Sequence, residues 1–461
     1  MTRLLDPADS RPIHFVGIAG AGLSALAELF TLRGALVTGC DLHPENAADL
    51  VRQGIVVHGA HSPDHVEGAR ALVVTSAMPK DHPELARARA LGLPVIRRAE
   101  ALGEVTAETM LVGVAGTHGK STTTVMTTEA LAAAGLEPTG YVGARVTAWL
   151  GNVRAGSSER FVVEADEYDR SFLALAPTVA VVTNLEADHM DIYADLDDLR
   201  RTFAHYVRGA RYVVLCADDL EANRIPVPPT AEVIRYGIHS PDARLRAVNL
   251  RREELGTRFA VLYDGKSLGD VALSVPGEHN VRNALAALAV GLALGVTVPQ
   301  MAPGIAAFTG VERRFQLLGE VAGALVVDDY AHHPTEVRAT VQAARAAAPE
   351  RRLVVAFQPH LYSRTRDLAR EFAEALVEAD VVFLLDVYAA REQPIAGVTS
   401  ALIADVMRAR GRPPAWEGSR AALAAALAAQ VRAGDLVITM GAGDVTRCGP
   451  ELLAALGTSA G

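Results

Sequence analysis

Short apolar runs rich in β-branched residues alternate with Ala- and Leu-rich stretches of helical periodicity almost from end to end. That alternation predicts parallel sheets covered by helices, an α/β chain. Residues 13–17 read as a strand, followed by a glycine-rich turn and a helix over 22–33. The next strand, 36–40, closes at Asp41, and further strands are expected at 71–75 and 94–96. A second βα unit opens at Met110 with the run MLVGVAG and enters a helix at Ser121. Strands are expected there at 161–163 and 179–183, and a long helix from near Asn280 closes the segment. A third segment starts near Phe315, with strands at 324–327, 353–357, 381–385 and 436–440. The apolar run 284–298 stops at Pro299, is too short to span a bilayer, and reads as a buried helix. Three α/β domains follow, at 1–105, 106–314 and 315–461.

A chain of 461 residues is too long for a single ordinary core, which agrees with that division. The net charge of -10 argues against a general nucleic-acid binder but leaves room for acidic small molecules held by a local basic cleft. Cys40, Cys216 and Cys448 are far apart and form no C-x-x-C pair, so neither a zinc ribbon nor a disulfide framework is expected. The N-terminal MTRLLDPADS has no apolar core of a signal peptide. A cytoplasmic protein without membrane attachment is the expectation.

The strongest chemical signal is VAGTHGKSTTT, Val114 to Thr124, between a strand and a helix. Gly116 and Gly119 let backbone N–H groups curl around phosphate oxygens, and the helix N-terminus adds partial positive charge. Thr117 and His118 lie between them, a shorter spacing than the usual four residues. Lys120 would reach the β- and γ-phosphates of a nucleotide, and Ser121, followed by Thr122, would hold Mg²⁺. Downstream, FVVEADEYD and VVTNLEADHMD place Glu164, Asp166, Glu167, Glu186, Asp188 and His189 just past two strands. In a parallel sheet those strand ends share the edge that carries the phosphate loop, where carboxylates suit Mg²⁺. The spacing is not that of a zinc site. At the N-terminus, HFVGIAGAGLSALA presents Gly17, Gly20 and Gly22 as G-x-x-G-x-G, a variant of the dinucleotide turn, with Asp41 where a ribose-binding acid would stand. A pyrophosphate there fits either a dinucleotide or a nucleotide sugar. His14, alone in its strand, reads as structural.

The last third carries GEHNVRNALAAL, whose Asn280 and Asn283 could face a purine or cap a helix, and GVERRFQ, with Arg313 and Arg314. VVDDYAHHPTE sets Asp328, Tyr330 and His332 after a strand, and FQPHLYSRT sets His360 and Arg364 after another.

Taken in order along the chain, these motifs, together with DVYAAREQPIAG and MGAGDV, resemble the Mur ligases over essentially the whole length. The short G-T-H-G-K-S loop is shared across that family; DDYAHHPTE and FQP-H are particular to its alanine-adding branch. The resemblance implies a Rossmann-like N-terminal domain (1–105) for a UDP-sugar, a central P-loop-type ATPase domain (106–314) with a mainly parallel sheet, and a Rossmann-like C-terminal domain (315–461) for the amino acid. The implied activity is ATP-dependent amide formation between the lactyl carboxylate of UDP-N-acetylmuramate and L-alanine, in a cytoplasmic monomer or homodimer.

Residue by residue, Lys120 and His189 are then catalytic, and Ser121, Glu164 and His189 are metal ligands. ATP would contact Gly116 to Thr122, Asn280, Asn283, Arg314 and Asp328. The two substrates would contact Gly17, Gly20, Gly22, Asp41, Tyr330, His332, His360 and Arg364. Leu361 stands where the pattern has Arg, Ala19 where it often has Gly, and Cys40 where it often has Ser. EADEYD is also a form found in the murein tripeptide ligase, the nearest alternative. A nicotinamide-dependent oxidoreductase would leave GTHGKS unexplained, and a non-enzymatic UDP-sugar sensor would bind without ATP turnover.

Overall fold

The computed structural model describes residues 4–6, 8–75, 78–188, 192–253, 255–390 and 392–458, apart from the side chains of Ala21 and Ser158. It contains three sheets, each mainly parallel and interleaved with helices. The chain clusters into two compact units. One comprises Met1–Asn249, Phe259–Val271 and Arg282–Phe308, the other Leu250–Arg258, Ala272–Val281 and Thr309–Gly461.

The first sheet is built from β1 (Ile13–Val16), β2 (Val37–Cys40), β3 (Val56–His58), β4 (Ala71–Val74) and β5 (Val95–Arg97), in the order β3-β2-β1-β4-β5. All its pairings are parallel. Central β1 is buried on both faces, and IHFV is accordingly apolar apart from His14. Leading out of β1, Gly17 has φ +81, a left-handed conformation that glycine adopts at little cost.

The second sheet takes β6 (Met110–Ala115), β7 (Pro138–Val146), β8 (Gly151–Arg154), β9 (Ser157–Glu164), β10 (Val179–Val182), β11 (Tyr212–Cys216), β12 (Glu232–Gly237), β13 (Leu245–Glu253), β14 (Gly256–Tyr263) and β15 (Lys266–Leu273). Their order is β15-β14-β13-β12-β11-β10-β6-β9-β7-β8. The loop-bearing strand β6 lies between β10 and β9, parallel to both. Strand ends that carry the acidic motifs therefore flank the phosphate loop, as the sequence pattern predicts. A continuous core joins the first sheet to the second: Phe15, Phe30, Leu111, Tyr141, Phe161, Val182 and Phe203 belong to one buried cluster.

The third sheet consists of β16 (Gln316–Val321), β17 (Ala324–Asp329), β18 (Arg352–Phe357), β19 (Val381–Leu385), β20 (Trp416–Gly418) and β21 (Asp435–Met440), ordered β16-β17-β21-β18-β19-β20. Only its edge strand β16 is antiparallel. Helices on its two faces make separate apolar layers.

The run 284–298 is two helices rather than one. Glu278–Ala293 ends at Gly295, whose φ of +80 permits the turn. Val298–Ala306 then starts behind a Thr297–Gln300 capping box, with Pro299 in its first turn. Among the described residues, no helix is long and apolar enough to cross a membrane.

Candidate active site

The phosphate loop is held by its own backbone and by the strand beside it. Gly116 has φ +135, and a β-carbon there would lie 2.1 Å from Thr183 Oγ1. Gly119 has φ +81 and stands as N-cap of the helix Lys120–Ala133, with no side-chain cap. The first N–H groups of that helix are thus left for a ligand. Thr183 Oγ1 and Asn184 Nδ2 both donate to the His118 carbonyl (2.6 and 3.0 Å), and His118 N donates to Asn184 Oδ1 at 2.8 Å. Glu186 N donates to Thr117 Oγ1 at 2.9 Å, and His118 Nε2 lies 3.3 Å from Glu186 Oε2. Asn283 reaches the same loop, accepting from Thr123 Oγ1 at 3.2 Å.

Lys120 points back across the loop. Its ammonium donates to the Gly116 and Thr117 carbonyls (2.7 and 3.2 Å) and pairs with Glu167 at 2.7 Å. Burial pushes the Glu167 carboxyl up to about 7, against the pull of Lys120. Burial also works against the charged Lys120, but Glu167, Asp166 and Glu164 outweigh it and raise the ammonium above its ordinary range. Ser121 Oγ donates to Glu164 Oε2 at 3.0 Å, and the same oxygen accepts from Gly143 N at 2.8 Å. A hydroxyl and a carboxylate thus meet at the loop–helix junction, a hard-oxygen pair suited to Mg²⁺.

The first glycine turn is anchored by Asp41, which accepts from Ala19 N at 3.0 Å and His43 N at 2.9 Å. Gly20 N-caps the helix Ala21–Leu32 without a side-chain cap. Gly22 packs closely on Arg98: a β-carbon would sit 3.1 Å from the guanidinium. Arg98 in turn lies 3.5 Å from Asp166, and the Gly22 carbonyl accepts from Tyr141 Oη at 2.9 Å. The N-terminal turn and the acidic cluster are therefore bridged by one arginine.

In the other unit, Arg313 and Arg314 lie over the Tyr330 ring at 4.7 and 5.1 Å. The rings continue from Tyr330 to His332 (5.0 Å), His360 (5.7 Å) and Tyr388 (6.0 Å). Glu336 faces both His332 Nδ1 (3.2 Å) and Arg314 (3.3 Å). Arg364 lies half-buried in the first turn of the helix Tyr362–Leu376, behind Leu361 at φ +70. Asp328 joins this ladder through Arg313, whose Nε lies 3.4 Å from Asp328 Oδ2. It is buried, and its oxygens accept from Thr439 Oγ1 and Thr446 Oγ1 at 2.5 and 2.7 Å.

Three stretches of the chain match family models: residues 12–109 the Mur ligase family catalytic domain, 114–291 the Mur ligase middle domain, and 313–443 the Mur ligase glutamate ligase domain. A UDP-N-acetylmuramate–L-alanine ligase of Salinibacter ruber is 43% identical over 443 residues, covering 95% of this chain and 93% of its own. The chain belongs to the Mur ligase family. A solved UDP-N-acetylmuramate–alanine ligase from Thermotoga maritima superposes with a TM-score of 0.83 at 28% identity, covering 97% of this chain and all of its own. A murein peptide ligase from Psychrobacter arcticus gives 0.71 at 25% identity, covering 97% and 99%.

Within this Mur ligase, the residues from Gly116 to Thr122, Glu164 and Asn283 come together around one loop. Arg314, Tyr330, His332 and His360 come together in the second unit. Asn280 lies in the first turn of the helix that carries Asn283, and its Nδ2 donates to the Pro276 carbonyl at 2.7 Å. His189 lies outside the described residues. Sequence reading overlooks the parts played by Arg98, Thr183, Asn184 and Glu167. Glu167 sits inside a quoted motif, but nothing local marks which of its acids meets Lys120. Arg98 has no motif around it at all.

Proposed function

We propose that this Mur ligase forms the amide bond between the lactyl carboxylate of UDP-N-acetylmuramate and L-alanine, with hydrolysis of ATP to ADP and phosphate. The observation that carries the reading is the Lys120–Ser121–Glu164 constellation at a glycine loop, in a chain matched over nearly its full length by ligases of that name. Residues 1–105, 106–314 and 315–461 then serve the UDP-sugar, ATP and alanine respectively, in the cytoplasm.

The chemistry sets a charge problem. A carboxylate approaching a terminal phosphate meets repulsion of about 4 kcal/mol for two unit charges at ~4 Å and an effective dielectric near 20. Lys120 offsets it from within the loop, and the helix N-terminus behind Gly119 adds to the same field. Ser121, Glu164 and His189 are the proposed holders of Mg²⁺, which supplies further neutralising charge at phosphate oxygens. The carboxylate takes the γ-phosphoryl group and ADP leaves. The alanine amine attacks the activated carbonyl, and phosphate departs. Asn280, Asn283, Arg314 and Asp328 are assigned to nucleotide, and Gly17, Gly20, Gly22 and Asp41 to the UDP-sugar. Tyr330, His332, His360 and Arg364 are assigned to the amino acid; with Leu361 in place of Arg, the alanine carboxylate leans on Arg364.

The test is ADP release with UDP-N-acetylmuramate and ATP, with L-alanine present or absent. Turnover that needs alanine supports the reading. Turnover that needs the L-alanyl-containing tripeptide instead would assign the chain to the murein peptide ligases.

A further inference from the structure

Away from the phosphate loop, the first sheet gathers a second concentration of chemistry. Linear reading leaves His14 as a lone structural histidine and Cys40 as a solitary thiol. The fold brings them together with two more donors. His14 lies on β1, Cys40 ends β2, His65 sits in the short turn Pro63–Val66, and Glu84 opens the helix Pro83–Ala90. One ligating atom from each of the four lies within 4.8 Å of all the others. His14, Cys40 and Glu84 have no exposed surface.

The Cys40 sulfur lies 3.1 Å from His61 Nδ1. Glu84 is a fully buried carboxylate that accepts from Ser62 N at 2.9 Å and from the Cys40 thiol at 3.2 Å. Three imidazoles face it: His65 Nδ1 at 3.1 Å, His61 Nδ1 at 3.8 Å and His82 Nδ1 at 4.0 Å. His14 Nδ1 is taken by Thr38 Oγ1 at 2.9 Å, while its buried Nε2 has no hydrogen-bond partner. A buried nitrogen without a partner is costly and calls for an explanation. His58 stacks on His65 with ring centroids 4.1 Å apart and so fixes the plane of that imidazole.

We propose that His14, Cys40, His65 and Glu84 form a structural site for a borderline transition-metal dication of the Zn²⁺ class. A thiolate, two imidazoles and a carboxylate make a donor set that selects against Mg²⁺ and suits tetrahedral zinc. Four protein donors complete a tetrahedron and leave no open coordination position, which marks a structural rather than a catalytic centre. Binding replaces the Cys40 thiol proton, which is released to solvent. His61, His82 and Glu84 form an adjoining three-donor group that shares the carboxylate. The four-donor group wins because it alone contains sulfur. The ion would tie β1, β2 and the helix Pro83–Ala90 together beneath the first glycine turn.

The experiment uses the full chain, stripped with chelator and titrated with Co²⁺ in excess Mg²⁺, which saturates the oxygen-donor sites. The expected result is a near-ultraviolet thiolate-to-cobalt band and intense tetrahedral visible bands, saturating at a single equivalent and displaced by Zn²⁺. Zn²⁺, and not Mg²⁺ alone, should raise the melting temperature. Cys40→Ser should remove the near-ultraviolet band and weaken Co²⁺ binding at least about tenfold. The wild-type spectrum decides even if that variant folds poorly. Absence of the thiolate band, failure to retain cobalt through gel filtration, or a band that survives in Cys40→Ser would each overturn the site.

Discussion

Lys120 and Glu167 are the pair on which the chemistry turns, and each makes a separate prediction. The ammonium is held between two loop carbonyls and a buried carboxylate. Lys120→Ala should cut ADP release by ~10²-fold or more, as loss of a preorganised charge-stabilising donor does. Calorimetric binding of UDP-N-acetylmuramate should persist. Undiminished turnover in that variant would remove Lys120 from the mechanism. Glu167 predicts a pH dependence. Its carboxyl is raised from 4.5 to about 7 by burial, so the folded state keeps a proton that the unfolded chain has already lost. Its contribution to stability is full below about 4.5 and is lost as pH rises through about 7. Urea midpoints of the ligand-free protein should therefore fall across that window, and the fall should be smaller in Glu167→Gln. Lys120 and Ser121 were legible in sequence because a phosphate loop is contiguous. The partnership with Glu167 was not. It depends on a turn in which Asp169 and Arg170 both take left-handed φ angles near +55, returning the chain so that Phe172 N reaches the Asp166 carbonyl.

Among the elements, the loop and its helix are specified by glycines that do different work. A β-carbon on Gly116 would collide with Thr183 Oγ1, whereas Gly34, also left-handed at φ +81, faces open space. Both Gly→Ala changes should destabilise, Gly34→Ala by roughly 1 kcal/mol from backbone strain alone and Gly116→Ala by more. Only Gly116→Ala should abolish the thermal shift on adding ATP and Mg²⁺. Equal effects of the two variants on nucleotide response would mean that the loop's shape is not what binds phosphate. The sequence shows the buried parallel strands well, since β4, β6 and β10 are unbroken apolar runs and His14 alone interrupts β1. It hides β13, where LRAVNLRRE is buried only in its first half and turns charged toward the end, so the alternation fades. β3 and β20, three residues each, are too short to carry a period.

At the scale of the whole molecule, the linear pattern divides the chain into three segments, while the spatial proximity of the backbone groups it into two compact units. The difference lies in contacts that no periodicity records. Arg33 donates to Thr139 Oγ1 at 2.9 Å and lies over the Phe161 ring, and Glu28 accepts from Asn152 N at 3.1 Å. These join the first sheet to the second, so that the first glycine turn and the phosphate loop belong to one folded body. Such an arrangement suits an enzyme whose first substrate must present a carboxylate to ATP before the amino acid is joined to it. The claim that matters most is this activation, and oxygen-18 follows it directly. UDP-N-acetylmuramate labelled with oxygen-18 in the lactyl carboxylate is converted with ATP and L-alanine, and the released phosphate is analysed by mass. Transfer of one labelled oxygen to phosphate for each amide formed is the predicted result. Amide formation with unlabelled phosphate would contradict carboxylate attack on the γ-phosphate at this loop.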